Sequence, residues 1–202
     1  MRAFDYHQPQ ILEDEVVRLR PLHASHIGLL TEAASHRGVW TYFLEHGCGQ
    51  PYLTQYVHAA LARRRAGQAY PFVVEDKASG RLAGMTQLYE IQPWLGVLKV
   101  GHTWLGTEFQ GTGLNTRAKY LLFALVFDTL EAERIGFGVH ADNVQSLRAL
   151  ARVGVQQEGV LRAYLPRDHG AGRADLVLLS ILRTEWDATV KDALRRRLYT
   201  AE

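Results

Sequence analysis

Trp104-Leu105-Gly106-Thr107-Glu108-Phe109-Gln110-Gly111-Thr112-Gly113-Leu114-Asn115-Thr116 is the stretch on which the reading of this chain turns. Before it, Val97 to Leu105 reads as a strand. After it, Leu114 to Leu130 is a long apolar stretch at helical spacing, with Leu121 and Leu125 but also Phe123 and Phe127. Apolar residues on more than one face predict a largely buried helix. The glycines between strand and helix let the backbone come close to a ligand and turn its N–H groups outward. The helix start adds unpaired donors and a positive dipole end. Together they suit a pyrophosphate. A plain glycine-rich turn is the competing reading. A Walker A loop is excluded, because Thr112 stands where its lysine is required, and a Rossmann fingerprint lacks its third glycine.

Outward from this loop the pattern alternates. Residues 1–14 are polar and read as a loose lead-in, and residues 15–202 as one domain. Val16 to Leu22 alternates apolar and basic residues and predicts a strand ending at Pro21. Ala24 to Ser35 predicts a short helix. Pro51 opens a second one, with Leu53, Tyr56, Val57, Ala60 and Leu61 on one face. Arg63, Arg64 and Arg65 close it, read as a solvated, dipole-compatible end in preference to a binding patch. Tyr70–Glu75 and Arg81–Ile91 predict a hairpin. Arg134–His140 predicts a strand, Asp142 or Asn143 opens a helix that Gly154 ends, and Gln156–Leu165 and Ala174–Leu182 predict two more strands. Thr184-Glu185-Trp186-Asp187 predicts a capped C-terminal helix. The expected fold is α/β: one mixed, mostly antiparallel sheet of about seven strands flanked by helices.

The chain has 202 residues, 47% hydrophobic and 22% charged, with a formal charge of +2. That balance argues against nucleic acid or an anionic membrane as the main partner. Cys48 stands alone, and no Cys/His spacing fits zinc, so no metal is expected. No apolar run approaches the ~20 residues of a membrane span. The expected compartment is the cytoplasm.

Gln110-x-x-Gly113-x-Asn115 resembles the Gln/Arg-x-x-Gly-x-Gly/Ala signature of GNAT (GCN5-related) N-acetyltransferases. Gly101-His102-Thr103-Trp104-Leu105, Asn143-x-x-Ser146, Glu158-Gly159-Val160-Leu161-Arg162 and Ser180 to Trp186 are similar to the RimJ/RimL-type branch, whose members acetylate the N-terminal residues of ribosomal proteins. The resemblance runs from about Val16 to Trp186. It implies acetyl-CoA as co-substrate. Its pyrophosphate would sit on the backbone N–H groups of Gln110, Gly111, Thr112, Gly113, Leu114 and Asn115, with Thr116 beside them. Its pantetheine arm would pair with Trp104 and Leu105. Asn143 matches a cofactor-contacting asparagine, and Ser146 matches a serine proposed as the acid that protonates the leaving thiolate. Each has a plainer reading: Asn143 or Asp142 as a helix cap, Ser146 as a helix serine bonded to its own backbone. Strand parity places His102 and Trp104 on one face and Lys99, Gly101 and Thr103 on the other.

The chain also departs from the family. Thr112 replaces a residue that is often basic. Leu150 stands where many relatives carry a tyrosine acid, Lys99 where a carboxylate is frequent, and Leu165 where the Rim-type base falls. No general base is carried over, which leaves Glu90, His102 and His140 as base or relay candidates. The implied chemistry is attack of a neutral amine on the acetyl thioester, with a backbone N–H of Val100–Leu105 stabilising the oxyanion. An α-amine of pKa ~7.7–8.0 is roughly a tenth neutral near pH 7, a lysine at ~10.4 less than about one part in a thousand. A site without an obvious base therefore favours a protein N-terminal α-amine. Three rivals remain: a small-molecule (antibiotic or polyamine) N-acetyltransferase, a non-catalytic CoA-binding protein of the same fold, and a nucleotide-binding protein. The first two helices and the Arg162–Arg173 loop would shape the acceptor side. Trp40, Tyr42 and Phe43 read either as core or as a surface for a homodimer.

Overall fold

The computed structural model describes residues 1–45, 47–167 and 172–199. Eight strands form one sheet in the order β1-β2-β3-β4-β5-β6-β8-β7. They are β1 (Leu12–Glu13), β2 (Val17–Pro21), β3 (Ala69–Asp76), β4 (Arg81–Gln92), β5 (Val97–Leu105), β6 (Arg134–His140), β7 (Gln156–Pro166) and β8 (Arg173–Leu182). Every neighbouring pair is antiparallel except β5 and β6. The expected mixed, mostly antiparallel sheet is thus present, with the two-residue β1 bringing the count to eight.

Each face of the sheet carries its own core, and the alternation along β3 shows why. Tyr70, Phe72 and Val74 join one cluster and Val73 joins the other. The first face is covered by α3 (Leu114–Ala124), which continues as a wider π-turn over Leu125–Thr129, and by the C-terminal run from α5 (Arg183–Glu185) through Trp186–Val190 to α6 (Lys191–Tyr199). The second face is covered by α1 (Ile27–Leu30) and α2 (Gln50–Arg65). The predicted all-round burial of the helix after the glycine loop follows from this placement, since Leu122, Phe123, Val126 and Phe127 are all fully enclosed.

Several local expectations need correction. The first helix is shorter than Ala24–Ser35: a 3-10 turn at Ala24–His26 leads into a single turn of α-helix. Residues 1–14 are not loose. Phe4 is buried edge-on against Tyr70, whose hydroxyl accepts from the Gln10 N–H at 2.8 Å and donates to the Gln8 carbonyl at 2.8 Å. The C-terminal helix is capped by Glu185, whose carboxylate accepts from the Leu182 N–H at 2.8 Å, and not by Thr184. Trp40 belongs to the core, while Tyr42 lies at the surface. The Arg162–Arg173 loop is mostly strand at its ends, and its residues 168–171 lie outside the described residues.

Candidate acyl-transfer cleft

β5 and β6 run side by side for only three residues, Val97, Leu98 and Lys99 against Arg134, Ile135 and Gly136. Past that point the two strands part. From Val100 to Leu105, β5 keeps its partner β4 on one side but pairs with no strand on the β6 side among the described residues. A parallel pair that splays leaves a wedge lined by free backbone donors and acceptors, and such groups need a partner.

The glycine loop closes the wide end of that wedge. It is fixed at several points. The Gly106 N–H donates to the Ala83 carbonyl at 2.8 Å, and Arg81 reaches Glu108 at 2.9 Å while lying over the Phe109 ring. The Gln110 side-chain amide donates to the Leu105 carbonyl at 3.0 Å. Its oxygen accepts from Gln145 at 3.2 Å, and Gln145 stands on α4 (Val144–Ala151). Gly111 and Gly113 adopt φ of +77° and +91°, conformations that a side chain would strain. Thr112 folds back to donate to the Phe109 carbonyl.

Five consecutive N–H groups, those of Gly111, Thr112, Gly113, Leu114 and Asn115, have no backbone acceptor among the described residues. Such a row at the start of a buried helix suits a diphosphate. The Gln110 N–H does not belong to the row, because it donates to the Thr107 carbonyl at 3.3 Å. Nor does that of Thr116, which donates to the Gly113 carbonyl at 3.0 Å. Gln110 thus fastens the loop through its side chain. The Asn115 side-chain oxygen is buried with no hydrogen-bond partner among the described residues.

Asn143 is the N-cap of α4. Its Oδ1 accepts from the Ser146 N–H at 3.0 Å, which leaves its NH₂ for another group. Ser146, one turn into α4 beside Gln145, is half-buried. The Gln110–Gln145 contact therefore brings the start of α4 to the loop. Beyond it, the Tyr42 hydroxyl donates to the Asp142 carbonyl at 3.0 Å and its ring lies against His140. The segment between α1 and α2 is thereby tied to the end of β6.

On the α1/α2 side of β5 lies a cavity of about 380 Å³. Glu90 and His102 both line it, together with Arg63, Gln87 and Tyr89. Glu90 and His102 sit at irregularities of the β4–β5 ladder, with φ of +48° and +49°. The bulge at His102 changes the parity expected of β5. Thr103 does not share a face with Lys99 and Gly101. It turns to the α3 face, where it meets Thr86 at 2.8 Å and Lys119 at 3.0 Å. Trp104 remains on the α1/α2 face, buried against Trp40.

Burial, then the nearby Arg63 guanidinium, hold His102 below the ordinary imidazole range, so it is neutral at neutral pH. The Glu90 carboxylate is paired with Lys99 Nζ at 2.6 Å. His140, by contrast, accepts from the Asp142 N–H through Nδ1 and lies at the other strand. Ser146 does not line the cavity that holds Glu90 and His102. Leu150, at the position of the family tyrosine, is packed in the core.

The arginine triplet at the end of α2 is not a uniform solvated end. Arg64 donates to the Tyr6 carbonyl and lies over Tyr70, Arg65 is exposed, and Arg63 turns to the cavity. No helix among the described residues is long and apolar enough to cross a membrane, and no group of three metal-ligating side chains is found among them.

The chain matches the acetyltransferase (GNAT) domain over residues 17–156. It is 31% identical over 110 residues to the Bacillus subtilis (strain 168) protein named "Putative ribosomal N-acetyltransferase YdaF", an alignment spanning 54% of this chain and 57% of that relative. The crystal structure of a GCN5-related N-acetyltransferase from Brucella melitensis superposes with a TM-score of 0.86 at 30% identity, covering 97% of this chain and 88% of that one. RimL, a ribosomal L7/L12 alpha-N-protein acetyltransferase, shares the fold with a TM-score of 0.74 at 18% identity, over 89% and 98% of the two chains.

Proposed function

Since the chain belongs to the GNAT acetyltransferase family, we propose that it moves the acetyl group of acetyl-CoA to a protein N-terminal α-amine. The observation that carries this reading is the parting of β5 from β6 beside a loop with five free N–H groups. When bound, acetyl-CoA supplies the thioester that the amine attacks. Gly111 to Asn115 hold the diphosphate, and the open edge of β5 around Trp104 and Leu105, apart from the Leu105 carbonyl that the Gln110 amide already holds, pairs with the pantetheine amides. A backbone N–H of that edge takes the charge that develops on the thioester oxygen.

His102, neutral and on the wall of the adjoining cavity, accepts the proton that the attacking nitrogen loses as its bond to the acetyl carbon forms. As the carbon–sulfur bond breaks, Ser146 at the start of α4 donates a proton to the departing sulfur. Glu90 is tied up by Lys99 and takes the second place as base. The preference for an α-amine rests on its lower pKa and on the ribosomal N-acetyltransferase name of the Bacillus subtilis relative.

Calorimetric titration with acetyl-CoA, for the protein and for its Asn115→Ala variant, tests the cofactor site. Micromolar binding that weakens in the variant is expected; a folded protein that binds no acetyl-CoA overturns it. Comparing peptide α-amines with free lysine ε-amines tests the acceptor. Efficient turnover of ε-amines alone would falsify the α-amine assignment.

A further inference from the structure

The cavity beside β5 has walls that need acceptors. Arg63 Nε and Nη2 and Gln87 Nε2 are buried without a hydrogen-bond partner among the described residues. Nε and Nη2 form the edge of a guanidinium that grips a carboxylate with two parallel bonds. The third nitrogen, Nη1, faces Glu45 at 3.7 Å, an ion pair too long to be a hydrogen bond. The anionic group at the cavity, Glu90, is already matched by Lys99 at 2.6 Å. What remains uncommitted is therefore a donor set around one cation. Buried donors left unpaired are unfavourable, and the shortfall is removed by a ligand that brings acceptors.

From these residues we infer that the acceptor carries a carboxylate close to its reacting amine, gripped by Arg63 with help from Gln87. The inference rests on the acetyltransferase reading above and specifies its substrate. His102 shares the same cavity wall and lies on β5 where that strand leaves β6, so a carboxylate held at Arg63 places a neighbouring amine toward the cleft. A polycationic amine meets the opposite of what it needs there. Two sources offer the required chemistry: an acidic side chain near a peptide N-terminus, or the α-carboxylate of a free amino acid.

The test uses the full chain with saturating acetyl-CoA and compares kcat/KM within matched pairs. One pair is a peptide with glutamate at its second position against the same peptide with glutamine. The other is glycine against glycinamide. Wild type is expected to prefer the carboxylate by roughly tenfold or more in at least one pair. A preference in the peptide pair assigns the side-chain source, and one in the glycine pair the α-carboxylate.

That ratio should collapse in Arg63→Gln and survive in Arg65→Gln, which removes the same charge one turn-face away on the exposed side. Gln87→Leu, which leaves α2 intact, should lower it too and covers the case in which Arg63→Gln fails to fold. Equal or reversed preferences in both pairs, or an undiminished ratio in both Arg63→Gln and Gln87→Leu, overturn the inference. Binding of acetyl-CoA with no turnover of any of the four acceptors also overturns it and leaves the cofactor site standing. Loss of acetyl-CoA binding itself would strike the broader function as well.

Discussion

Lys119 Nζ donates to Thr103 Oγ1 at 3.0 Å, joining the buried helix behind the glycine loop to the bulged strand of the cleft. Lys119 is enclosed and has no ion-pair partner among the described residues. Burial alone pulls its pKa from 10.5 down to about 8. The sign of the linkage follows. Below pH 8 the ammonium is protonated in the folded and unfolded states alike, and the folded state bears the desolvation. Between about pH 8 and 10.5 the folded protein has lost the proton while the unfolded chain keeps it, so this group makes stability rise with pH. Lys119→Met should therefore be more stable than wild type near pH 7. The gap should shrink from pH 8 upward, its pH-dependent part being on the order of 3 kcal/mol. Urea unfolding of both proteins across pH 7–10.5 checks this, and a gap that stays constant would rule it out.

Asn143 serves α4 through its oxygen and has an NH₂ to spare. The two roles can be separated by substitution. Asn143→Ser keeps a capping oxygen and removes the NH₂, whereas Asn143→Ala removes both. The alanine variant should lose about 1 kcal/mol of stability, and the serine variant only a fraction of that. If the NH₂ contacts the cofactor, both should weaken acetyl-CoA binding by a similar factor, roughly three- to tenfold. Unchanged affinity in Asn143→Ser would reduce Asn143 to a cap.

Gly113 and Gly80 offer a matched pair for the loop. Both have positive φ, +91° and +69°, and in both an added Cβ would meet nothing within 4 Å. Alanine at either position thus carries only backbone strain, about 1–2 kcal/mol. Gly80 lies in the turn between β3 and β4, next to Arg81 but outside the row of free N–H groups, so its variant should lose stability and leave those groups aimed as they are. Gly113→Ala should lose as much stability and also at least about tenfold in acetyl-CoA affinity, because the free N–H groups from Gly111 to Asn115 are aimed by that residue's conformation. Equal affinities of the two variants would remove the loop from the cofactor site.

What the sequence revealed and what it hid differ in physical kind. Val97–Leu105 and Arg134–His140 are strands over the residues that their composition suggests. Short runs bounded by turn residues carry their own boundaries. The bulge at His102 depends instead on how many residues of β5 face Thr86 across the ladder, a cross-strand count that no local pattern records. For the same reason, simple alternation along β5 puts Thr103 on the wrong face. Arg63 looks like its neighbours Arg64 and Arg65 in sequence, and only the packing of α2 on the sheet turns one of the three to the cavity. The glycine loop could be read because its geometry is local. Gln145 could not, because its partner Gln110 is 35 residues away.

His102 supplies a prediction whose sign is set by burial and by Arg63. Burial, followed by the positive charge of Arg63, lowers its pKa, and Glu45 acts in the opposite sense. A base must be deprotonated to act, so the acid limb of kcat/KM should fall below the ordinary imidazole pKa of 6.5. Removing the guanidinium by Arg63→Gln takes away one of the depressing influences, and the limb should move to higher pH. Arg63→Lys keeps a positive charge on the same turn and should hold it nearer the wild-type value. His102→Gln should lower kcat/KM by about 10²-fold and abolish the limb, leaving acetyl-CoA affinity in place. A pH profile of wild type and the three variants, with an α-amine acceptor, decides the matter. If the limb survives in His102→Gln, the proton goes elsewhere, and Glu90 becomes the group to replace next.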